Sequence, residues 1–485
     1  MNASTMHPAK TAAFEFVERN RQAIATLSDS VFYFAELGMQ EFRTCELMTS
    51  LLEEAGFQIT RNLSGFPTAF LATWGSGGPL IAMHTEFDAA PDNSQAPNCT
   101  EQVEVVPGAP GHCEGHNVNA AVLVAAAIAI KTSLEKFKIP GRLKIFGAPA
   151  EEQLLSRPYF VRDGYFKDVD VALHDHILDR SGTTYGLSSS SMISAVFNFK
   201  GETAHASLSP WKGRDALDAV VLMDMGLAQY REHFEPGMTA HRAITNGGNQ
   251  PNVIPAKASV WWYFRHPSAE GARTLFEQAK RIAQGAAMMS NTEVTVDVQS
   301  SVWPTRGNQT LAETIQRNIE LVGMPQWTKE EHDFARALQR QAGAKEIGLR
   351  TEVIPLTGPA KQGPTSNDSG DVSWAVPMAR LFFPGNIPDV TFHHWTAGAA
   401  LASTIAHKGA CVGAKTMAGT AIDLFLEPSL VEAARVKFRE EIGDVVYRPL
   451  LPADQQPPLE LNRAAMERFR PAMEKHYVSE RPRFV

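Results

Sequence analysis

The chain has 485 residues, 44% of them hydrophobic and 20% charged, with a formal net charge of −8. That is the composition of a globular protein with ample material for a buried core and roughly two to four domains. Acids and bases are interspersed, so the sequence presents neither a basic nucleic-acid surface nor a polybasic membrane anchor.

Met1–Asn20 mixes polar, charged and apolar residues and lacks the apolar run of a secretory signal. Apolar spacing predicts a helix over about Cys45–Ala55, stopped by Gly56. Strands follow at Thr68–Trp74 and Pro79–Phe87, then a loop rich in Pro, Asn and Gly from Ala89 to Gly115. Asn119–Phe137 reads as a buried helix, because its longest apolar run, Ala120–Ile130, falls short of the ~20 residues that cross a bilayer. Arg142–Phe146 and Val169–Leu173 are further strands. Strands alternating with helices predict an α/β fold with a mostly parallel sheet, whose sites gather at the carboxyl ends of strands.

The texture changes after about residue 190. Met192–Lys200, the Arg242–Thr245 region, Ala256–Arg265 and Thr292–Val298 read as strands, with helices over Gly213–His233 and Ala269–Met289. This β-α-β-β-α-β order is that of a ferredoxin-like α+β sandwich. Residues 190–303 are therefore expected to be a domain inserted between two parts of one catalytic domain, 1–189 and 304–485. Helices near Asn308–Val322 and Ala399–Leu426 belong to the second part, separated by a Gly/Pro/Ser/Asn-rich stretch, Gly358–Gly370. No role is read for the polar tail after Leu426.

Candidate chemistry begins in Gly111-His112-Cys113-Glu114-Gly115-His116-Asn117, where Glu114 and His116 can converge on one ion. Glu151-Glu152 follows a hydrophobic strand. One carboxylate can hold a cation while the other takes a proton from water, although a lone Glu-Glu pair is more often a solvated turn. His174-Asp175-His176 and His393-His394 also follow apolar segments, and the convergence of several such groups suggests a discontinuous metal site. Arg265 ends a Trp-Trp-Tyr-Phe strand, where a guanidinium can clamp a carboxylate. His205, His241 and Asn252 lie in the same inserted segment and by default are surface residues. The four cysteines, Cys45, Cys99, Cys113 and Cys411, lack paired spacing, which predicts reduced thiols and a cytoplasmic setting.

At these residues the chain resembles the metallo-amidohydrolases related to aminoacylases and glutamate carboxypeptidases, in particular the p-aminobenzoyl-glutamate hydrolase B-subunit branch. The likeness runs through Ala35–Gly38 with Glu41, Gly111–Asn117, Pro149–Glu152, Ala204–Ala206, Gly213-Arg214, His241 with Ala243–Asn246, and Pro251–Val253. It continues through Asp368 with Gly370–Trp374, His393 with Trp395, and Ile405–Gly409. The resemblance implies a catalytic α/β domain with an inserted dimerisation or lid domain, in a homodimer or higher homo-oligomer. Glu114, His116, Glu152, His176 and His393 would be the metal ligands, for one or two ions per subunit, and Glu151 the general base and acid. His241 with Asn252 would stabilise the oxyanion, often from the neighbouring subunit, while Arg265 would hold the carboxylate of a small substrate, with Asn252 and His205 also substrate-binding.

Three departures from that pattern stand out. Glu114 occupies the place of a metal-bridging cysteine, which should shift preference from zinc towards manganese. Cys113, one residue earlier, is not expected to reach the same place without a shift in the loop. Gln153–Arg157 replaces a glycine-rich run, and Trp211 suggests a bulky wall beside the base. His84, ahead of Glu86 and Asp88, is a spare ligand candidate. The expected reaction is hydrolysis of the amide bond of an N-acyl or N-aroyl amino acid by a metal-activated water. The alternatives are hydrolytic deamination of an aromatic amino-carboxylate, releasing ammonia, and an inactive binding subunit.

Overall fold

The structure, a computed structural model, describes residues 6–485; the first five residues of the expected 1–189 segment lie outside it. Two helices, α1 (Pro8–Arg19) and α2 (Arg21–Phe34), lead into α3 (Phe42–Glu54). A sheet opens with β1 (Gln58–Arg61), β2 (Phe70–Ser76) and β3 (Leu80–Thr85). After the long loop come α4 (His116–Phe137), β4 (Gly141–Gly147), α5 (Ser156–Arg162) and β5 (Val171–Leu178), then the short β6 (Gly182–Thr184) and β7 (Gly186–Leu187).

The chain next builds a second sheet. Its elements are β8 (Ser191–Lys200), α6 (Ala216–Tyr230), β9 (Thr239–Asn246), β10 (Lys257–His266), α7 (Ala269–Met289) and β11 (Glu293–Val302). The strands order as β11-β8-β10-β9, antiparallel throughout, which is the ferredoxin-like arrangement expected from the period of the sequence. Val260, Trp262 and Phe264 of β10 turn to a separate core under α6 and α7. Strand alternation therefore sends Tyr263 and Arg265 to the opposite face.

β12 (Arg306–Gly307), α8 (Gln309–Val322), α9 (Lys329–Gln341), α10 (Ser369–Ala375) and β13 (Met378–Pro384) return the chain to the first sheet. The short α11 (Trp395–Gly398) precedes α12 (Thr404–Leu426), α13 (Pro428–Ile442) and α14 (Arg463–Met473). The first sheet orders as β1-β2-β4-β3-β5-β13-β6. It is parallel only across β4, β3, β5 and β13; the edge pairings are antiparallel. The parallel centre is where both faces are buried. Ile81, Met83, Leu173 and Ile177 pack in the core that α1, α2, α4 and α12 share, and Leu80, Ala82 and Ala172 in the one around Tyr159 and Phe160 of α5. By length and composition α4 is apolar enough to cross a bilayer, yet 89% of its most apolar window is buried inside the protein.

Two elements depart from the sequence reading. β5 runs past Leu173 to Leu178 because it pairs in parallel with the unforeseen β13, so His174 and His176 lie within a strand. The tail after Leu426 straps the amino-terminal region: Arg470 Nη2 donates to buried Glu36 at 3.1 Å, and Asn20 exchanges hydrogen bonds with the backbone of Val485.

Asp371 of α10 ties this tail to the end of the second sheet, accepting from Trp303 N at 3.0 Å and from the Tyr447 hydroxyl at 2.7 Å. Burial, opposed by those hydrogen bonds, raises its carboxyl from 3.8 to about 7. The folded state thus holds a proton that the unfolded chain has released, so this group's contribution to stability falls as pH rises from 3.8 to about 7. The full effect is of order 4 kcal/mol. Asp371→Asn should leave the unfolding midpoint unchanged on the acid side of that window and raise it on the alkaline side; a parallel displacement at every pH would contradict the assignment.

Candidate metal centre

Three strands of the parallel centre end at one place. Glu86 and Asp88 follow β3, Glu151 and Glu152 follow β4, and His176 lies near the end of β5. Glu114 and His116 arrive from the loop before α4 and from its first residue, and His393 from the loop before α11. Gly115 makes this convergence possible. Its φ of +85° is left-handed, and a Cβ there would stand 2.4 Å from Ile177 Cγ2, so any side chain would lift the loop off β5. The turn carrying Glu151 and Glu152 is bracketed by Ala150 and Leu154, both at φ 57°, a conformation that needs support from its surroundings. Glu41 Oε1 supplies it by accepting from Ala150 N at 2.9 Å. Gly38 permits the close approach, since a Cβ there would lie 2.9 Å from Ala150 Cα.

Both buried histidines have their outer nitrogen occupied. His116 Nδ1 donates to the Asp88 carbonyl at 3.0 Å, and His176 Nδ1 donates to the Ile177 carbonyl at 2.8 Å. Each therefore turns the Nε2 lone pair inward, as a ligand requires. His116 Nε2 is buried and has no hydrogen-bond partner among the described residues. Ligand atoms of Glu114, His116 and Glu152 lie within 4.8 Å of one another, as do those of Glu86, His116 and His176, and those of Cys113, Glu152 and His393. His393 Nε2 stands 2.7 Å from Glu114 and 3.5 Å from Glu152. These overlapping triads between them include the five expected ligands, along with Glu86 and Cys113.

The electrostatics are those of a site short of positive charge. Burial and then Glu86 push Glu151 well above the usual carboxylate range. Glu152 rises to about 7 through burial, opposed by His116 and aided by the nearby carboxylates of Glu114 and Asp88. Burial also raises the Cys113 thiol. His393 is raised to about 9, chiefly by its hydrogen bond to Glu114. A divalent cation would relieve the crowding of carboxylates, and the oxygen and nitrogen donors with an orphaned imidazole nitrogen fit one.

Glu86 and Asp88 belong to the centre, although the sequence offered them only as neighbours of a spare histidine. Their signal was position at a strand's carboxyl end. Asp88 also accepts from Glu152 N at 3.0 Å. His84 is not among the converging groups: its Nδ1 accepts from Arg157 Nε at 3.1 Å, behind the centre. Arg157, in the segment that departs from the expected glycine-rich run, is fully buried and ion-paired to both Glu86 and Asp368. Cys113 does not take the place of Glu114; its sulfur comes within 4.8 Å of ligand atoms of Glu152 and His393, a grouping distinct from that of Glu114 and His116.

A cavity of about 770 Å³ opens on this centre, and its lining includes Glu114, Glu151, Glu152, His176 and His393 together with Arg265, Lys361 and Tyr263. Arg265 Nε is buried without a partner among the described residues, and its guanidinium stacks on Tyr263 at 5.2 Å. His205, His241 and Asn252 do not line the cavity; His241 and Asn252 are exposed on the second unit, and His205 Nδ1 caps the backbone of Ser207 and Leu208. Trp211, expected as a wall beside the base, is 77% exposed and lines no part of it. Leu154, Leu178, Phe382 and Phe392 form the apolar wall instead.

A mixed sheet with such a centre at its carboxyl ends and a ferredoxin-like insertion defines the metal-dependent amidohydrolases. The chain belongs to the M20 family of metallohydrolases: it is 34% identical to the B-subunit of p-aminobenzoyl-glutamate hydrolase from Escherichia coli (strain K12), over 91% of this chain and 97% of that protein. Residues 187–288 match the family described as the peptidase dimerisation domain. A Xaa-Arg dipeptidase of Mus musculus is 28% identical, over 90% of this chain and 94% of its own. An aminobenzoyl-glutamate utilization protein from Klebsiella pneumoniae shares the fold, with TM-score 0.62 and 16% identity over 84% of this chain and 97% of that one. So does a dinuclear metal binding peptidase from Bacillus subtilis, with TM-score 0.55 and 18% identity over 84% and 99%.

Proposed function

We propose that the protein hydrolyses the amide bond of a small N-acyl or N-aroyl amino acid, releasing the acid and the amino acid. The observation that carries this reading is the make-up of the cavity, whose lining combines a cluster of glutamates and histidines with Arg265, whose buried Nε has no partner among the described residues. Burial without a counter-charge lowers the proton affinity of Arg265, a cost that a substrate carboxylate would relieve through two parallel hydrogen bonds. Tyr263, Phe382 and Phe392 would receive the acyl group.

Glu114, His116, Glu152, His176 and His393 would hold one or two divalent ions, manganese preferred over zinc given the carboxylate at position 114. The ion, when bound, supplies Lewis acidity to the scissile carbonyl and to the attacking water. Glu151 moves the proton. Its Oε1 accepts from Asn367 Nδ2 at 2.5 Å, while its Oε2 stands 3.9 Å from His116 Nε2, at the centre. Its raised proton affinity suits a group that takes a proton from water and delivers it to the departing nitrogen.

His241 and Asn252, with His205, act from a second copy of the chain in a homodimer. The supporting observation is the second unit's surface, where edge strand β9 is exposed from His241 to Asn246 beside exposed Val221, Met225 and Ile244. The four unpaired cysteines suit a cytoplasmic setting.

The test is a panel of acyl and aroyl amino acids and aryl amines, offered to protein stripped of metal and reloaded with manganese or zinc. Release of an amino acid supports the reading; release of ammonia alone would replace it with deamination. With an active substrate, Arg265→Met should raise KM and lower kcat/KM about 10- to 100-fold, the worth of a hydrogen-bonded charge. An unchanged KM would remove Arg265 from carboxylate recognition.

A further inference from the structure

We infer that Cys113 is a metal ligand, forming with Glu152 and His393 a sulfur-containing position beside the all-oxygen-and-nitrogen position of Glu114, His116 and Glu152. The inference rests on the metal dependence proposed above and adds what distinguishes this chain's centre. Cys113 sulfur, a Glu152 oxygen and a His393 ring nitrogen lie within 4.8 Å of one another, yet they come from the loop before α4, the turn after β4 and the loop before α11. The sulfur is buried, free of any disulfide, and faces the backbone N–H of His393.

A separate observation points to a cation at the adjoining position, which shares Glu152. His116, 1% exposed and with an Nε2 that has no hydrogen-bond partner among the described residues, is grouped with Glu114 and Glu152. Glu152 is common to both groups, and a carboxylate has lone pairs enough on its two oxygens to serve two cations. The two positions differ in depth as well as chemistry. The His393 side chain is 54% exposed, so the sulfur position lies on the cavity side, whereas His116 is enclosed.

Thiolate with imidazole and carboxylate suits zinc, cobalt or cadmium, while carboxylates with imidazoles suit manganese. The centre is therefore unsymmetrical, an enclosed hard position beside a more open soft one. On coordination the S–H bond breaks, its proton passes to water, and the sulfur lone pair binds the cation, with no change of oxidation state.

The experiment is titration of the metal-free, full-length protein with cobalt(II), read by absorbance. A sulfur-to-cobalt charge-transfer band is expected in the natural protein, lost in Cys113→Ser and kept in Cys99→Ser and Glu114→Gln. Cobalt bound with ligand-field bands alone, or a charge-transfer band that survives in Cys113→Ser, would overturn the inference and leave the metal reading standing. No cobalt bound at all would overturn both. Should Cys113→Ser fail to fold, X-ray absorption of the zinc-loaded natural protein decides, because a sulfur neighbour at about 2.3 Å is required.

Discussion

Glu151→Gln should lower kcat by about 10²- to 10⁴-fold, the usual contribution of a positioned acid–base group, while leaving metal content and substrate KM near those of the natural protein. The substitution is close to isosteric. A glutamine oxygen can still accept from Asn367 Nδ2, now 2.5 Å from Glu151 Oε1, and none of the five proposed ligands is touched. What disappears is the capacity to take up and return a proton within reach of the centre. Single-turnover kinetics with elemental analysis of the same sample separate the two contributions. Turnover within a few-fold of the natural enzyme would move the proton-transfer role elsewhere in the cavity. Loss of metal together with activity would instead make Glu151 a ligand.

The second large effect concerns stability. Arg157 is fully buried, donates through its guanidinium to Glu86, Asp368 and His84, and has its backbone N–H bonded to Asp368 at 3.1 Å. Burial alone would raise the Glu86 carboxyl, but Arg157 and then His174 outweigh it and hold it well below the usual range. Arg157→Met keeps much of the volume and removes the charge, stranding two carboxylates in an interior without a cation. Breaking a buried pair in this way costs about 3–5 kcal/mol. The urea midpoint should fall accordingly. Adding Asp368→Asn should recover part of the loss, because the two groups share one network. A loss below about 1 kcal/mol would mean that water or rearrangement replaces the guanidinium.

Much of this molecule was legible in its residues because the relevant signals are local. The alternation of apolar residues in Met192–Lys200 and Ala256–Arg265 and the helical spacing of Ala269–Met289 identified the inserted sandwich, and β8, β10 and α7 formed within a residue or two of those bounds. The segment Gly111–Asn117 and the pair Glu151-Glu152 announced ligand chemistry through residue type and spacing. Other features carry no local signal. β13 is a seven-residue segment broken by Arg380, whose strand character comes from pairing with β5, and it is that pairing which draws His174 and His176 into a strand. Glu86 and Asp88 looked like neighbours of His84, yet only the packing of β3 against β4 and β5 puts them at the centre and His84 behind it.

Hydrophobic period is a property of the chain, and from it follow the α/β plan and the ferredoxin-like second sheet, while the ordered motifs carry the resemblance to the family and, through it, the expected set of metal ligands. Folding settled the rest: that Arg157 neutralises the floor of the site, that Cys113 reaches Glu152 and His393, and that Trp211, His205, His241 and Asn252 lie outside this copy's cavity. These are facts of proximity between residues far apart in the chain. Coulomb energies and coordination depend on distances of a few ångströms, which no linear pattern encodes.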